Sequence, residues 1–422
     1  MSKHIAIIGT LDTKGPEVEY VRALIAGRGH IPLVIDTGIR GLPVIESAIS
    51  RQELAAAAGT TLDDILARGD KNAAINTMAS GVATVVRRLY EQGKLDGVLA
   101  LGGVQGTVIG TAAMRALPVG VPKVMLSTVA NGQATFGPFV GTRDVTIIHS
   151  VADILGLNSL TRQVLAEAAG AVVGMVEMVE MVDAARHSPG AGRPTIGMTV
   201  AGVTTPCAMR VRELLERAGY EVISFHCNGI GAQAMEELAA EGRLQGIVDL
   251  SPHDIPGYLF NGLMRASPDR MLSSTRKGIP IVFVPGGADF LLFGPLETVP
   301  PAMLTRKYVQ HNPIHTHVKA SHEEMKTVGR FVGERLSQTT GQAVVMLPRG
   351  GYSQLNIVGG PLYEPESDAG FVKGLTETLF VHLKGYVAVI EMDVHINDPL
   401  FAESVAAKLR ELVEGRQEQP TG

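Results

Sequence analysis

Two glycine-rich runs are the first places where this 422-residue chain could do chemistry. The run GTLDTKG at 9–15 contains Gly9, Thr10, Asp12, Thr13, Lys14 and Gly15, directly after an apolar stretch. A helix that starts there leaves unpaired amide groups at its beginning, and such groups attract anions. Thr10 and Thr13 can donate hydrogen bonds, Lys14 can meet a phosphate, and Asp12 can hold a cation or a hydroxyl. The run GGVQGT at 102–107 offers Gly102, Gly103, Gly106 and Thr107. Glycines after a buried strand let backbone approach a ligand closely, and amides plus a hydroxyl can cradle phosphate oxygens. Ser127, Thr128 and Asn131 end the next apolar run and could serve ribose, phosphate or carboxylate. None of these runs is a Walker A sequence or the usual dinucleotide fingerprint. The plainer alternative is tight strand-to-helix packing, which also selects glycine.

The second half carries acid–base candidates. His226 ends one apolar run, His253 and Asp254 follow another, and Asp289 lies in PGGADF at 285–290. Arg349 in RGGYS could clamp a carboxylate or phosphate. Glu391, Asp393 and His395 follow the last apolar run, where only the histidine titrates near neutrality unaided. His311, His315, His317 and His322 fall close together beside Glu323 and Glu324. Imidazole and carboxylate are ordinary ligands of divalent metals, but the spacing matches no zinc signature and lacks the second histidine of HExxH. The metal question therefore stays open in the sequence. Cys207 stands at an expected helix start and Cys227 adjoins His226; a structural role is the preferred reading of both.

The elements that must position these residues repeat. IAIIGT at 5–10 answers TIGMTV at 195–200, and Gly29 answers Gly219, at an offset of 190. EQGKLDGV at 91–98 answers AEGRLQGIV at 240–248 at an offset of 149, so the first copy carries 41 extra residues, within 37–80. That insertion would cover a site or form an interface. Short apolar runs alternating with helical stretches predict parallel sheets in an α/β fold. Ligands of such sheets bind outside the carboxyl ends of the strands, which is where the loops above fall. The expected division is 1–186, a linker at 187–194, and 195–422, with a ligand cleft between the lobes. A helix is expected at 81–92, and the polar stretch 301–327 is given no strand.

Composition narrows the functions. A net charge of −5, from 37 basic and 42 acidic residues, argues against general nucleic-acid binding. Two cysteines cannot make a disulfide scaffold, so a reducing compartment is the expectation. The one long apolar stretch, 170–182, is broken by Glu177 and Glu180, so no membrane span is expected. The core must rely on Val, Ile, Leu, Ala and Met, because tryptophan is absent.

The opening IAIIGTLDTKG resembles that of the Tm-1-like ATP-binding family, an uncharacterised protein family of bacteria, fungi and plants. The resemblance continues through GGVQGT, PKVMLST at 122–128, FHCNGIG at 225–231, PGGADF and the histidine segment 311–322. It implies two Rossmann-like three-layer domains and ATP bound in the first, with nucleotide contacts on Gly9, Thr10, Asp12, Thr13, Lys14, Gly102, Gly103, Gly106 and Thr107. The family's plant member inhibits replication of a tobamovirus and has a further C-terminal domain, so that role is not expected here.

The resulting expectation is a cytoplasmic, homo-oligomeric ATP-binding protein, with Mg²⁺ supplying countercharge. One alternative is a hydrolase, lyase or ligase acting on a small carboxylate-bearing metabolite, using His226, His253, Asp289, Arg349 and Asp393. Another is a regulatory interaction protein without turnover.

Overall fold

The computed structural model describes residues 2–130, 137–186, 192–382 and 386–417. Asn131 lies outside the described residues. The chain falls into two compact units, Met1–Ala191 and Gly192–Gly422.

The first unit holds five strands: β1 (His4–Gly9), β2 (Ile31–Asp36), β3 (Gly97–Gly102), β4 (Lys123–Ser127) and β5 (Thr146–His149). They form one sheet in the order β2-β1-β3-β4-β5, and every pairing is parallel. The alternation of each strand sorts its side chains onto two faces. Ile5, Ile7, Leu99, Leu101, Val124 and Leu126 join one core with helices 15–27 and 159–186. Ala6, Ile8, Val98, Ala100 and Met125 join the other with helices 51–57, 71–91 and 104–115. This is a three-layer α/β unit, and each fully buried aliphatic side chain contributes about 1.5–3 kcal/mol to it.

The second unit adds β6 (Thr195–Val200), β7 (Glu221–His226), β8 (Gly246–Asp249), β9 (Ile281–Phe283), β10 (Phe290–Phe293), β11 (Tyr308–Asn312), β12 (His315–Lys319), β13 (Gln342–Pro348) and β14 (Tyr386–Met392). Six of these make a parallel sheet ordered β14-β13-β9-β8-β6-β7. Its first five strands in chain order (β6, β7, β8, β9, β13) take the places of β1 to β5, so the duplication read from sequence is also a duplication of topology. The shared glycines keep their backbone geometry: Gly29 and Gly219 end equivalent helices at φ of 85° and 93°. Helices 205–217 and 399–417 cover one face; helices 230–240, 322–336 and 365–382 cover the other.

Three elements differ from the sequence reading. The helix expected at 81–92 begins ten residues earlier, at Lys71, because Asp70 caps it by accepting from the amides of Asn72 and Ala73. The stretch 301–327 supplies β11 and β12, which pair antiparallel with each other and with β10 in a separate three-stranded sheet. Part of the high glycine content serves helix contact: a Cβ on Gly329 or Gly374 would lie 2.1 or 2.0 Å from a carbonyl oxygen of the facing helix. Among the described residues, no helix is long and apolar enough to cross a membrane.

Candidate functional site

In a sheet ordered 2-1-3-4-5, the connections leave β1 and β3 in opposite directions, and a crevice opens between them at their carboxyl ends. The runs 9–15 and 102–107 are the loops at those ends. Both line one cavity of about 540 Å³, within the first unit. Thr10, Asp12, Thr13 and Lys14 come from one loop, and Gly102, Gly103 and Gly106 from the other. The insertion supplies much of the rest through Ile39, Arg40, Ile65, Leu66 and Lys71.

The helix starts at this cavity differ from those nearby. The three insertion helices each begin on a capping side chain, Ser50, Thr61 or Asp70. Helix 104–115 begins on Gly103, which offers none, and its first turn holds no acidic residue. The amides of Val104, Gln105 and Gly106 are thus left for a ligand to cap. Helix 15–27 also lacks a side-chain cap, but Glu17 sits in its first turn. Helix 104–115 therefore has the barer and more electropositive start. A Cβ on Gly103 would meet only Thr128 Oγ1, at 3.5 Å, whereas one on Gly102 would lie 2.9 Å from Gly106 Cα. Gly103 faces open space, and Gly102 is fixed by the close approach of the loop to itself.

Several sequence candidates also hold the cavity's shape. A Cβ on Gly9 would strike Val18 at 2.7 Å and one on Gly15 would strike Val44 at 2.2 Å, so both are packing glycines. Thr107 and Ser127 are buried and bond each other at 2.7 Å. Lys14 Nζ donates to the Ile154 carbonyl. Asp12 accepts from the Gly41 amide at 3.1 Å, and buried Asp36 accepts from Leu11 and Gly38 at 3.1 and 2.8 Å. These bonds lash the insertion to the loop after β1.

The second unit has a cavity of about 610 Å³ at the equivalent crevice, beside the ends of β6 and β8. The start of helix 205–217 is closed here, because Asn397 Oδ1 accepts from the Cys207 amide at 3.3 Å. The helix after β8 starts on His253 rather than glycine; the His253 side chain makes no cap bond, but Asp254 stands in the first turn. Histidines dominate the lining: His226, His253, His311, His315 and His317. Burial pushes His317 down to about 3, helped by the neighbouring histidines. Burial also holds His253 below the usual imidazole range, against the opposing pull of Asp254.

The five acid–base candidates do not all converge. His226 and His253 share this cavity. Asp289 is fully buried, accepts from Ser353 Oγ at 3.0 Å and lies 3.7 Å from Lys319 Nζ. Arg349 and Asp393 form a 3.6 Å pair on the surface, with side chains 63% and 91% exposed. His395 uses both ring nitrogens within the fold, toward Ser353 O and the Asn397 amide. Burial pushes the Cys207 thiol up to about 12, and Cys227 donates to Asp254 at 3.0 Å, so neither is poised as a thiolate. Sequence reading missed Arg270, which is fully buried between Asp249 at 2.8 Å and Asp254 at 3.3 Å. Among the described residues, no group of three or more His, Cys, Asp or Glu is arranged to hold a metal ion.

Comparison with known proteins places the chain. Residues 3–181 match the N-terminal domain of the uncharacterised protein family UPF0261, and residues 193–413 match its C-terminal domain. A UPF0261 protein of Clostridium tetani is 37% identical over 98% of this chain and 100% of its own length. The tomato (Solanum lycopersicum) ToMV susceptible protein tm-1(GCR26) is 32% identical over 97% of this chain, which spans 56% of that protein. A solved UDP-GlcNAc 2-epimerase of Neisseria meningitidis, covering 99% of this chain and 100% of its own, is 12% identical at a TM-score of 0.23, too faint a likeness to inform the chemistry. Both matched domains and the near-full-length bacterial relative agree: the chain belongs to the UPF0261 family.

Proposed function

We propose that the first unit binds a nucleoside phosphate, ATP in the reading the family resemblance implies. The observation that carries this is the uncapped start of helix 104–115, open on a 540 Å³ cavity while every insertion helix around it is capped. That volume is in the range of small-molecule sites. The phosphates would take the amides of 104–106 and the hydroxyls of Thr10 and Thr13. The base would lie against Ile39, Ile65 and Leu66. Lys14, Arg40 and Lys71 supply positive charge, and Asp12 and Asp153 are the carboxylates on the lining that suit Mg²⁺. Mg²⁺ is commonly held by one or two carboxylates together with substrate phosphates, so it needs no larger cluster. A cytoplasmic location and a homo-oligomeric state complete the proposal; light scattering of the full chain checks the second.

Titration calorimetry with ATP and Mg²⁺ tests the reading. The expected result is a saturable heat with one site per chain. Absence of saturation up to roughly millimolar nucleotide, on folded protein, overturns it.

A second reading, chemistry on a small carboxylate-bearing metabolite, is favoured by one observation: the histidine-lined cavity of the second unit.

A further inference from the structure

The second cavity has a wall built from stacked rings. His253, Phe290, His317 and His311 follow one another with centroids 5.1, 4.4 and 5.0 Å apart. His317 is stacked between Phe290 at 22° and His311 at 14°, whereas His253 is tilted at 39° to Phe290. A ring stacked in this way meets the cavity with its edge, which carries the positive end of the ring quadrupole and, in histidine, the N–H groups. The same stacking disfavours a metal, because rings lying face to face at 14° do not aim their nitrogens at one point. The described lining holds no lysine, arginine, aspartate or glutamate. Opposite polarity comes from Val203, Leu292 and Leu355. Nδ1 of His317 is buried without a hydrogen-bond partner, while His253 has the Gly287 backbone beside it.

We infer that this cavity is a second ligand site, for a small organic monocarboxylate whose apolar body packs on the aliphatic side and whose carboxylate meets the edges of the histidine column. The inference takes its ligand class from the metabolite reading and depends on nothing in the first unit. A cavity of 610 Å³ suits an organic molecule rather than an ion.

The charges around the column make such binding proton-linked. His317 faces His253, His311 and His315, all of which resist a further positive charge. His253 faces His226, Asp254 and Asp289. Those two carboxylates are matched by cations of their own, Arg270 at 3.3 Å and Lys319 at 3.7 Å. An incoming carboxylate offsets the burial that keeps these imidazoles uncharged and draws a proton onto one of them. Affinity should then rise as pH falls, by at most about tenfold per pH unit for one proton taken up.

Benzoate is the probe, added to the full chain and followed by calorimetry and by the histidine ring resonances. The expected result is one site that binds roughly threefold to tenfold more tightly near pH 6 than near pH 7.5. Gly202→Val should abolish it, since a Cβ there meets nothing within 4 Å and the added methyls enter the cavity without disturbing the fold. His311→Ala, at an exposed position, should weaken it. ATP should not compete. Three results overturn the inference: no saturable benzoate binding, displacement by inorganic phosphate, or stoichiometric Zn²⁺ binding that tightens as pH rises and is lost in His311→Ala. Loss of benzoate binding with nucleotide binding intact removes this site alone, and the reverse removes only the nucleotide reading. Failure of any bound acid to be chemically altered would end the enzyme reading and leave the site standing.

Discussion

One topology carries two cavities of opposite chemistry. At the crevice of the first unit the helix after the third strand starts on Gly103, with bare amides and fixed charges around it. At the matching crevice of the second unit the equivalent helix starts on His253, Asp254 fills its first turn, and Asn397 closes the neighbouring helix. The first cavity therefore offers permanent partial charge, and the second offers buried imidazoles, His253 and His317, that burial keeps uncharged until a partner charge arrives. The lesson is that a duplicated sheet repeats where a cavity forms, while a few residues at helix starts set the chemistry of its wall. The first cavity should be nearly insensitive to pH between about 6 and 8, and the second should not.

The comparison breaks most sharply at Gly103. Gly103→Val places two methyls over the open amides, at a position with room for the Cβ itself. ATP affinity should fall by roughly a hundredfold or more, equivalent to about 2.7 kcal/mol, in calorimetry. Benzoate binding in the second unit should be unchanged. An unaltered ATP affinity would mean that the nucleotide does not sit on helix 104–115. Next in size is the roof over the same cavity. Leu66 is 41% exposed and lines the site, so Leu66→Asp should fold normally. It should weaken ATP by roughly tenfold, through a lost apolar contact and added repulsion. No change would remove the insertion from the site and return it to the role of an interface.

How much of this was legible in the sequence follows from which contacts are local. The loops 9–15 and 102–107 were readable because glycine after an apolar run marks the carboxyl end of a strand, and the sheet rule does the rest. The roof was legible only as one of two roles for the insertion; its residues, Ile39, Ile65 and Leu66, were not, because the insertion has no counterpart in the second copy to calibrate it. Gly9 and Gly15 had the right composition for a ligand loop, yet what they face, Val18 and Val44, is decided by packing. In the second unit, His226 and His253 stood out at strand ends, but their meeting with His311, His315 and His317 depends on the antiparallel pairing of β11 and β12. Nothing in 301–327 announces that pairing, since its strands are polar and the register shifts at Gln310 and Asn312. The helix at 322–336 was announced by its capping box, Ser321 with Glu324, a signal hidden while Glu324 was weighed as a metal ligand.

Asn397 tests what closing the start of helix 205–217 is worth. Its side chain accepts from the Cys207 amide and donates to the Val203 carbonyl at 3.2 Å, joining segments far apart in sequence. Asn397→Ala should cost roughly 1–2 kcal/mol, the usual worth of a helix cap, read as a lower denaturant midpoint for the second unit. It should leave ATP binding in the first unit untouched. A neutral effect would show that the amide is satisfied otherwise and that the contrast between the two helix starts has no energetic weight.

The smallest effect concerns protons. The folded pKa of His317 lies at about 3, below the ordinary value of 6.5. Between those limits the unfolded chain binds a proton that the folded chain refuses. Stability must therefore rise with pH across that window, and acidification below 6.5 must destabilise the second unit. His317→Phe keeps a ring between Phe290 and His311 and removes the titration. Between about pH 6.5 and 5.5 the wild type should lose roughly 1 kcal/mol more than this variant, measured as the difference in denaturant unfolding free energy. Asp368 works in the other direction: burial raises it to about 6, so its contribution favours the folded state as pH falls toward 3.8. Because Asp368 is present in both proteins, it cancels in the difference to first order. Equal pH slopes for wild type and variant would mean that His317 takes up its proton in the folded state. The column would then be a charged wall like that of the first cavity, and the contrast between the two units would fail.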